Sequence, residues 1–197
     1  MAAARVQSVI GLSSAAGTTA TATLASAPTQ NNLLYARCAT NSAGNTINTP
    51  GGWTQVYHRQ ANGTTDSVFW KIAGASESAT LSITLNTSDN WTLTVVEYSG
   101  AGVGANVDVS GDEAEASAAT FTTPTVNPDD SVERIVVCGV SIQGTRTYST
   151  QLVNGSATGV TDVQQGQSGG TTKVSTDVWD RVVANTGTDT FNGTVTP

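Results

Sequence analysis

Apolar and hydroxyl residues change places at every second position through much of this chain. Thr19 to Leu24 reads Thr-Ala-Thr-Ala-Thr-Leu. Val68, Trp70 and Ile72 share one parity, as do Leu81, Ile83 and Leu85, and Trp91, Leu93 and Val95. A period of two puts successive side chains on opposite faces of a strand, one buried and one wet. The run Ile135-Val136-Val137-Cys138-Gly139-Val140 is apolar throughout and suits a strand covered on both faces. Asn62-Gly63, Asn154-Gly155 and Asn192-Gly193 supply tight turns between runs, because both residue types tolerate positive φ. Pro50-Gly51-Gly52, Gly169-Gly170 and Asn127-Pro128-Asp129-Asp130 add further breaks. Many short strands with polar turns predict an all-β sandwich or barrel.

One segment, Val174 to Val183, also fits a helical period, since Val174, Val178 and Val182 recur every four residues. An internal repeat decides for a strand. Thr54 to Thr65 reads TQVYHRQANGTT, and Thr161 to Thr172 reads TDVQQGQSGGTT. The identical pairs are Thr54/Thr161, Val56/Val163, Gln60/Gln167, Gly63/Gly170, Thr64/Thr171 and Thr65/Thr172. Trp70 follows the first copy and Trp179 the second, so the Trp179 segment is expected to copy the Trp70 strand. Cys38 and Cys138 each precede their copy. The expectation is one domain over 1–197, a jelly-roll-like antiparallel β-sandwich of two similar, interleaved halves. The acidic, Ala-rich stretch over 101–120 is read as the crossover between halves.

Composition narrows the function. The 8 Lys+Arg against 15 Asp+Glu leave no basic surplus to neutralise phosphates, which argues against nucleic acid as a partner. The 2 Cys and 1 His cannot build an ordinary zinc site or a disulfide framework. No apolar run reaches the roughly 20 residues of a membrane-spanning helix, so no membrane partner is expected. Met1 to Gln7 lacks the basic and apolar regions of a secretory signal. Synthesis and assembly in a cytoplasm follow as the expectation, with Cys38 and Cys138 reduced and buried.

The residues that could carry chemistry each have a plainer reading. His58 is the one conventional base near neutral pH, yet it sits on a predicted strand without a nucleophile elbow. Glu97, Asp108, Asp112, Glu113 and Glu115 could pair for glycoside hydrolysis or hold calcium. They read better as a strand end and a solvated loop, without EF-hand spacing. No catalytic residue and no cofactor are therefore expected. Trp70 and Trp91 alternate in phase with core positions, and Trp53 after Pro-Gly-Gly is placed to cap one end of the core. The Asn-x-Ser/Thr sequons, Asn62 among them, follow from a composition rich in Asn, Ser and Thr.

Several of these segments together resemble a known domain. Asn31 to Leu34, Pro50-Gly51-Gly52-Trp53-Thr54, Val68 to Ala75, Leu81 to Leu85 and Asn90 to Gly100 carry the likeness. They are similar to the jelly-roll β-sandwich of virion accessory proteins of tailed bacteriophages, among them capsid decoration and minor tail proteins. Related domains also occur in secreted and cell-surface bacterial proteins. The resemblance implies a non-enzymatic structural protein on a virion surface, bound to capsid or other virion proteins. A homo-oligomer is expected as well, symmetry being the default for oligomers. Attachment is expected through the N-terminal segment 1–10, with Arg5, Val6, Gln7, Val9 and Ile10 as an arm that adds a strand to a neighbour. The alternative is that 1–10 is simply the first edge strand. A second functional reading is a carbohydrate-binding module of a tail or cell surface, with Trp53, Tyr57 and Tyr148 as the stacking residues.

Overall fold

The alternating runs become strands. A computed structural model describes residues 4–100, 120–122, 134–153, 160–183 and 191–196. Seven strands belong to the first half: β1 (Ala4–Leu12), β2 (Gly17–Thr23), β3 (Leu33–Thr40), β4 (Thr54–Ala61), β5 (Thr64–Ile72), β6 (Thr80–Asp89) and β7 (Trp91–Ser99). Six belong to the second: β8 (Thr120–Thr122), β9 (Arg134–Gln143), β10 (Thr147–Val153), β11 (Thr161–Gln167), β12 (Val174–Val183) and β13 (Phe191–Thr196). The described residues contain no helix, and every ladder is antiparallel. The fold is an all-β antiparallel sandwich, as the alternation predicts. Val174 to Val183 is strand, as the repeat requires.

The halves are stacked, not interleaved. One sheet runs β1-β7-β3-β5-β4 and another pairs β2 with β6, all from the first half. The sheets β11-β12-β9 and β10-β13-β8 draw only on the second half. Each half owns a core. In the first, Ala20, Ala22, Ile83 and Leu85 of β2 and β6 pack on Ala36, Cys38, Phe69, Trp91, Leu93 and Val95. In the second, Tyr148 packs on Val136, Cys138 and Trp179. Cys38 and Cys138 are free and buried, and they lie in different cores, so they do not face each other.

The repeat survives in the hydrogen-bond register, with a correction. Gln55 pairs Phe69 and Tyr57 pairs Val68, skipping Val56 as a bulge. Asp162 pairs Trp179 and Gln164 pairs Val178, skipping Val163. The bulge therefore falls on the same Val in both copies. Phe69, not Trp70, is the counterpart of Trp179, and both are wholly buried. Gln60 pairs Thr65 and Gln167 pairs Ser175, so the second hairpin holds three more residues, all in its loop. Thr171 and Thr172 sit in that loop, and their identity to Thr64 and Thr65 is coincidental. The first hairpin closes on Asn62 and Gly63, both at positive φ (51° and 79°). That is the two-residue turn which suits the twist of antiparallel strands. By the same register Ala36 matches Cys138, Arg37 matches Gly139 and Cys38 matches Val140.

Equivalent faces of the two large sheets pack against each other, and the contact is strongly polar. Val96, Tyr98, Val163 and Val178 form its apolar end. Elsewhere Arg37 of β3 ion-pairs with Asp66 of β5 and reaches across to the Gly139 carbonyl and to Ser141 Oγ (3.2 Å). Thr176 Oγ1 joins Thr92 Oγ1 (2.6 Å) and Ser141 Oγ (3.0 Å). Gly139 leaves room for this reach, because a Cβ would stand 2.7 Å from Arg37 Nη1 and 3.1 Å from the Asp177 carbonyl and would crowd the guanidinium. Burial opposes the Arg37 charge, but Asp66 beside it keeps the guanidinium protonated beyond its ordinary range. Removing one member of such a pair strands the other in a dry site. Arg37→Leu is expected to lower the unfolding free energy by about 3–5 kcal/mol in urea titrations. Arg37→Leu with Asp66→Leu should lose markedly less, because no charge is left stranded.

Candidate functional site

The two inner sheets differ in width, with five strands facing three. β11 lies over β1 and β7, β12 over β7 and β3, and β9 over β5. Among the described residues, β4 and the outer side of β5 therefore extend beyond β9, the last strand of the narrower sheet. Cross-strand partners share a face, so the register says which side chains line that margin. Tyr57 of β4 lies opposite Val68 of β5, and Trp70 of β5 lies between Thr54 of β4 and Tyr35 of β3. Arg59 follows opposite Asp66. Tyr35, Tyr57, Val68 and Trp70 are all half-buried, in contrast to the wholly buried Phe69 on the opposite face. Burial pushes the Tyr35 hydroxyl up to about 12 and also raises Tyr57, so both phenols stay neutral and can donate hydrogen bonds. The result is an aromatic strip across β3, β5 and β4.

Sequence reasoning found half of this strip. It picked Tyr57 but assigned Trp70 to the core, because alternation reports parity and not whether a facing layer covers that parity. The other stacking candidates lie elsewhere. Tyr148 is buried in the second core and donates to the Ser175 carbonyl (2.8 Å), so it cannot stack on a ligand. Trp53 is partly buried against the first core, as its capping role predicts. Lys71 Nζ stands 5.9 Å from its ring centroid and pairs with Glu77 (2.8 Å), so that face is occupied. His58 is exposed on β4 with Nδ1 2.8 Å from Ser67 Oγ. No group of three or more His, Cys, Asp or Glu among the described residues could hold a metal. Asp108, Asp112, Glu113 and Glu115, the calcium candidates, lie outside the described residues, as does 101–119 of the expected crossover.

The proposed arm is the first edge strand of the five-stranded sheet. β1 pairs with β7 from Ala4↔Ser99 to Leu12↔Thr92, and Val6 bulges out of the ladder, half-exposed. Arg5, Gln7, Val9 and Ile10 are all engaged inside the molecule. Arg5 Nη1 donates to the Asp162 carbonyl (3.1 Å) and stands 3.6 Å from Asp180, which also accepts from Tyr98 Oη (3.0 Å). Val9 packs on the first core, and Ile10 lies over Gly166, where a Cβ would come within 2.7 Å of its Cδ1. The edge-strand alternative is thus the one realised, because β7 offers a full-length partner within the chain. A chain lacking Met1 to Ile10 is expected to lose cooperative unfolding altogether, as read by circular dichroism, and not to survive as a folded body without an arm.

Gln7 also serves a buried carboxylate. Glu97 is wholly buried on β7 and accepts from Gln7 Nε2 (2.5 Å), the Thr29 backbone N–H (2.8 Å) and Asn32 Nδ2 (2.6 Å). Burial pushes its pKa up, but those donors outweigh it and hold the carboxyl below its ordinary value. A carboxyl depressed in the fold stabilises it above the unfolded pKa, and that share fades as pH falls through the folded one. The stability difference between the natural chain and Glu97→Gln should be largest near neutral pH. It should narrow below about pH 4, which denaturant titrations at several pH values would show.

Compared with known proteins, the chain matches no family, no curated protein and no solved structure.

Proposed function

We propose that this chain is a non-enzymatic structural protein of a virion surface, of the capsid-decoration kind, working as a homo-oligomer on capsid or other virion proteins. One observation carries the reading. The segments that resemble phage accessory domains are those that build the first sandwich: Val68 to Ala75 runs through β5, Leu81 to Leu85 through β6 and Asn90 to Gly100 through β7. A decoration protein has to hold its shape against the particle. The buried Arg37–Asp66 pair and the hydroxyl chain through Thr92, Thr176 and Ser141 support that by keying one sandwich to the other. The outer β2–β6 layer is lined with hydroxyls, Thr21 bonding Ser82 (3.2 Å) and Thr23 bonding Thr80 (3.0 Å). Such a face is wet and uncharged, which suits close packing at a particle surface without counter-ions.

The aromatic strip favours a second reading, a carbohydrate-binding module on a tail or cell surface. Tyr57 and Trp70 would present ring faces to a sugar, with Arg59 beside them. The two readings separate in one set of measurements. Electron cryomicroscopy and mass spectrometry of particles from a virus encoding the chain are expected to find it on the head in many symmetric copies. Its absence from purified particles would sink the decoration reading. Binding to a glycan array that is lost in Trp70→Ala would favour the second, and an array left blank with and without calcium would remove it.

A further inference from the structure

Two side chains of β4 meet at one oxygen of β5. His58 Nδ1 stands 2.8 Å from Ser67 Oγ, and Gln55 Nε2 donates to the same oxygen (3.3 Å). Thr49 Oγ1, from the loop before β4, donates to Gln55 Oε1 (3.4 Å). Ser67 is wholly buried, whereas His58, Gln55 and Thr49 are exposed. The hydrogen bonds set the directions. Thr49 holds the amide oxygen of Gln55 on its own side, so the nitrogen faces Ser67. Ser67 Oγ accepts from that nitrogen, which directs its own proton to His58 Nδ1. A serine hydroxyl bonded to a base thus has a carboxamide against it, the arrangement of an activated nucleophile beside an acyl group.

The bulge at Val56 makes the grouping. Gln55 and His58 are three residues apart, and on a regular strand they would face opposite ways. The extra residue turns both to one side, Gln55 opposite Phe69 and His58 opposite Ser67. The fold does not demand these side chains. The second copy carries the same bulge and places Asp162, Gln165 and Asp177 at the matching positions. It has neither the serine nor the histidine there.

We propose that Ser67 and Gln55 join in an intramolecular ester that ties β4 to β5, with His58 as the proton carrier. Ser67 Oγ attacks Gln55 Cδ, which is one bond from the nitrogen already touching it, while His58 Nδ1 takes the hydroxyl proton. The carbonyl electron pair moves onto Oε1, where the Thr49 hydroxyl holds it by a hydrogen bond. The pair returns, the Cδ–Nε2 bond breaks, and His58 passes its proton to the departing nitrogen. One ester and one ammonia are formed, nothing is oxidised or reduced, and each chain reacts once. Burial of Ser67 presents its hydroxyl to the amide and not to solvent. The bond closes the loop from Gln55 to Ser67 and constrains the unfolded chain as a disulfide would. Reduction does not break it, in a chain whose Cys38 and Cys138 are free. This assignment does not rest on the virion reading.

Mass spectrometry of the full chain, purified folded and then denatured, tests it. The natural chain is expected to be lighter than its sequence by one ammonia, with fragmentation giving a peptide in which residues 55 and 67 are joined. Ser67→Ala and Gln55→Met should abolish the loss. His58→Ala, an exposed substitution, should slow it at least about a hundredfold, while circular dichroism shows the fold unchanged. A natural chain that keeps its full mass after prolonged incubation at neutral pH overturns the proposal. So does a loss that persists in Ser67→Ala, which would come from an asparagine instead. A loss unaffected by His58→Ala, or a Gln55 converted to glutamate with Ser67 left free, overturns it as well.

Discussion

Burying the Arg37 guanidinium between two sheets governs much of the molecule. A charge placed there needs a counter-charge, acceptors for its remaining donors and room for its length. Asp66 supplies the first, the Gly139 carbonyl and Ser141 Oγ the second, and the missing side chain of Gly139 the third. These groups come from both halves, so the two sandwiches can meet in one arrangement and few others. An apolar contact of the same size would tolerate sliding. Directional hydrogen bonds with buried partners do not, since any slip leaves a polar group unpaired.

The duplication explains why this contact exists at all. Each half is one β-strand unit that buries its outer face under a small two- or three-stranded layer. Its inner face is left for the other half. Because the inner faces are register equivalents, residues matched by the repeat come face to face, as Arg37 and Gly139 do. One half carries a long cation where the other carries a glycine, and the two fit together. Among the described strands the copies also differ in their neighbours, β3 lying between β5 and β7 and β9 beside β12 alone.

Legibility from sequence followed the physics of each signal. Period-two alternation is local, so strand positions and their inward parities were readable, down to the Val174 to Val183 segment that a helical pattern also fitted. The repeat was readable because bulge and turn residues recur, yet its alignment slipped by a residue at Trp70. Glycine-rich loops accept insertions, and only hydrogen-bond partners show where three extra residues sit. The N-terminal strand was readable as a strand but not as an arm or an edge. That choice depends on whether β7, some eighty residues away, offers it a matching ladder.

Alternation and turn chemistry committed this chain to an antiparallel β fold before any tertiary contact formed, because side-chain parity and backbone φ preferences act over a few residues. They could not say which faces are covered. Trp70 and Phe69 are neighbours with similar hydrophobicity, and one is half-open while the other is sealed. Tyr148 and Tyr57 looked alike as stacking residues, and one is a core tyrosine. Glu97 looked like a strand-end acid and is a buried carboxylate held by three donors from two other segments. Each of these outcomes depends on which layer lies across from the residue. That is a property of the stacking of the two halves, fixed by long-range packing and buried polar pairing, which no window of neighbouring residues contains.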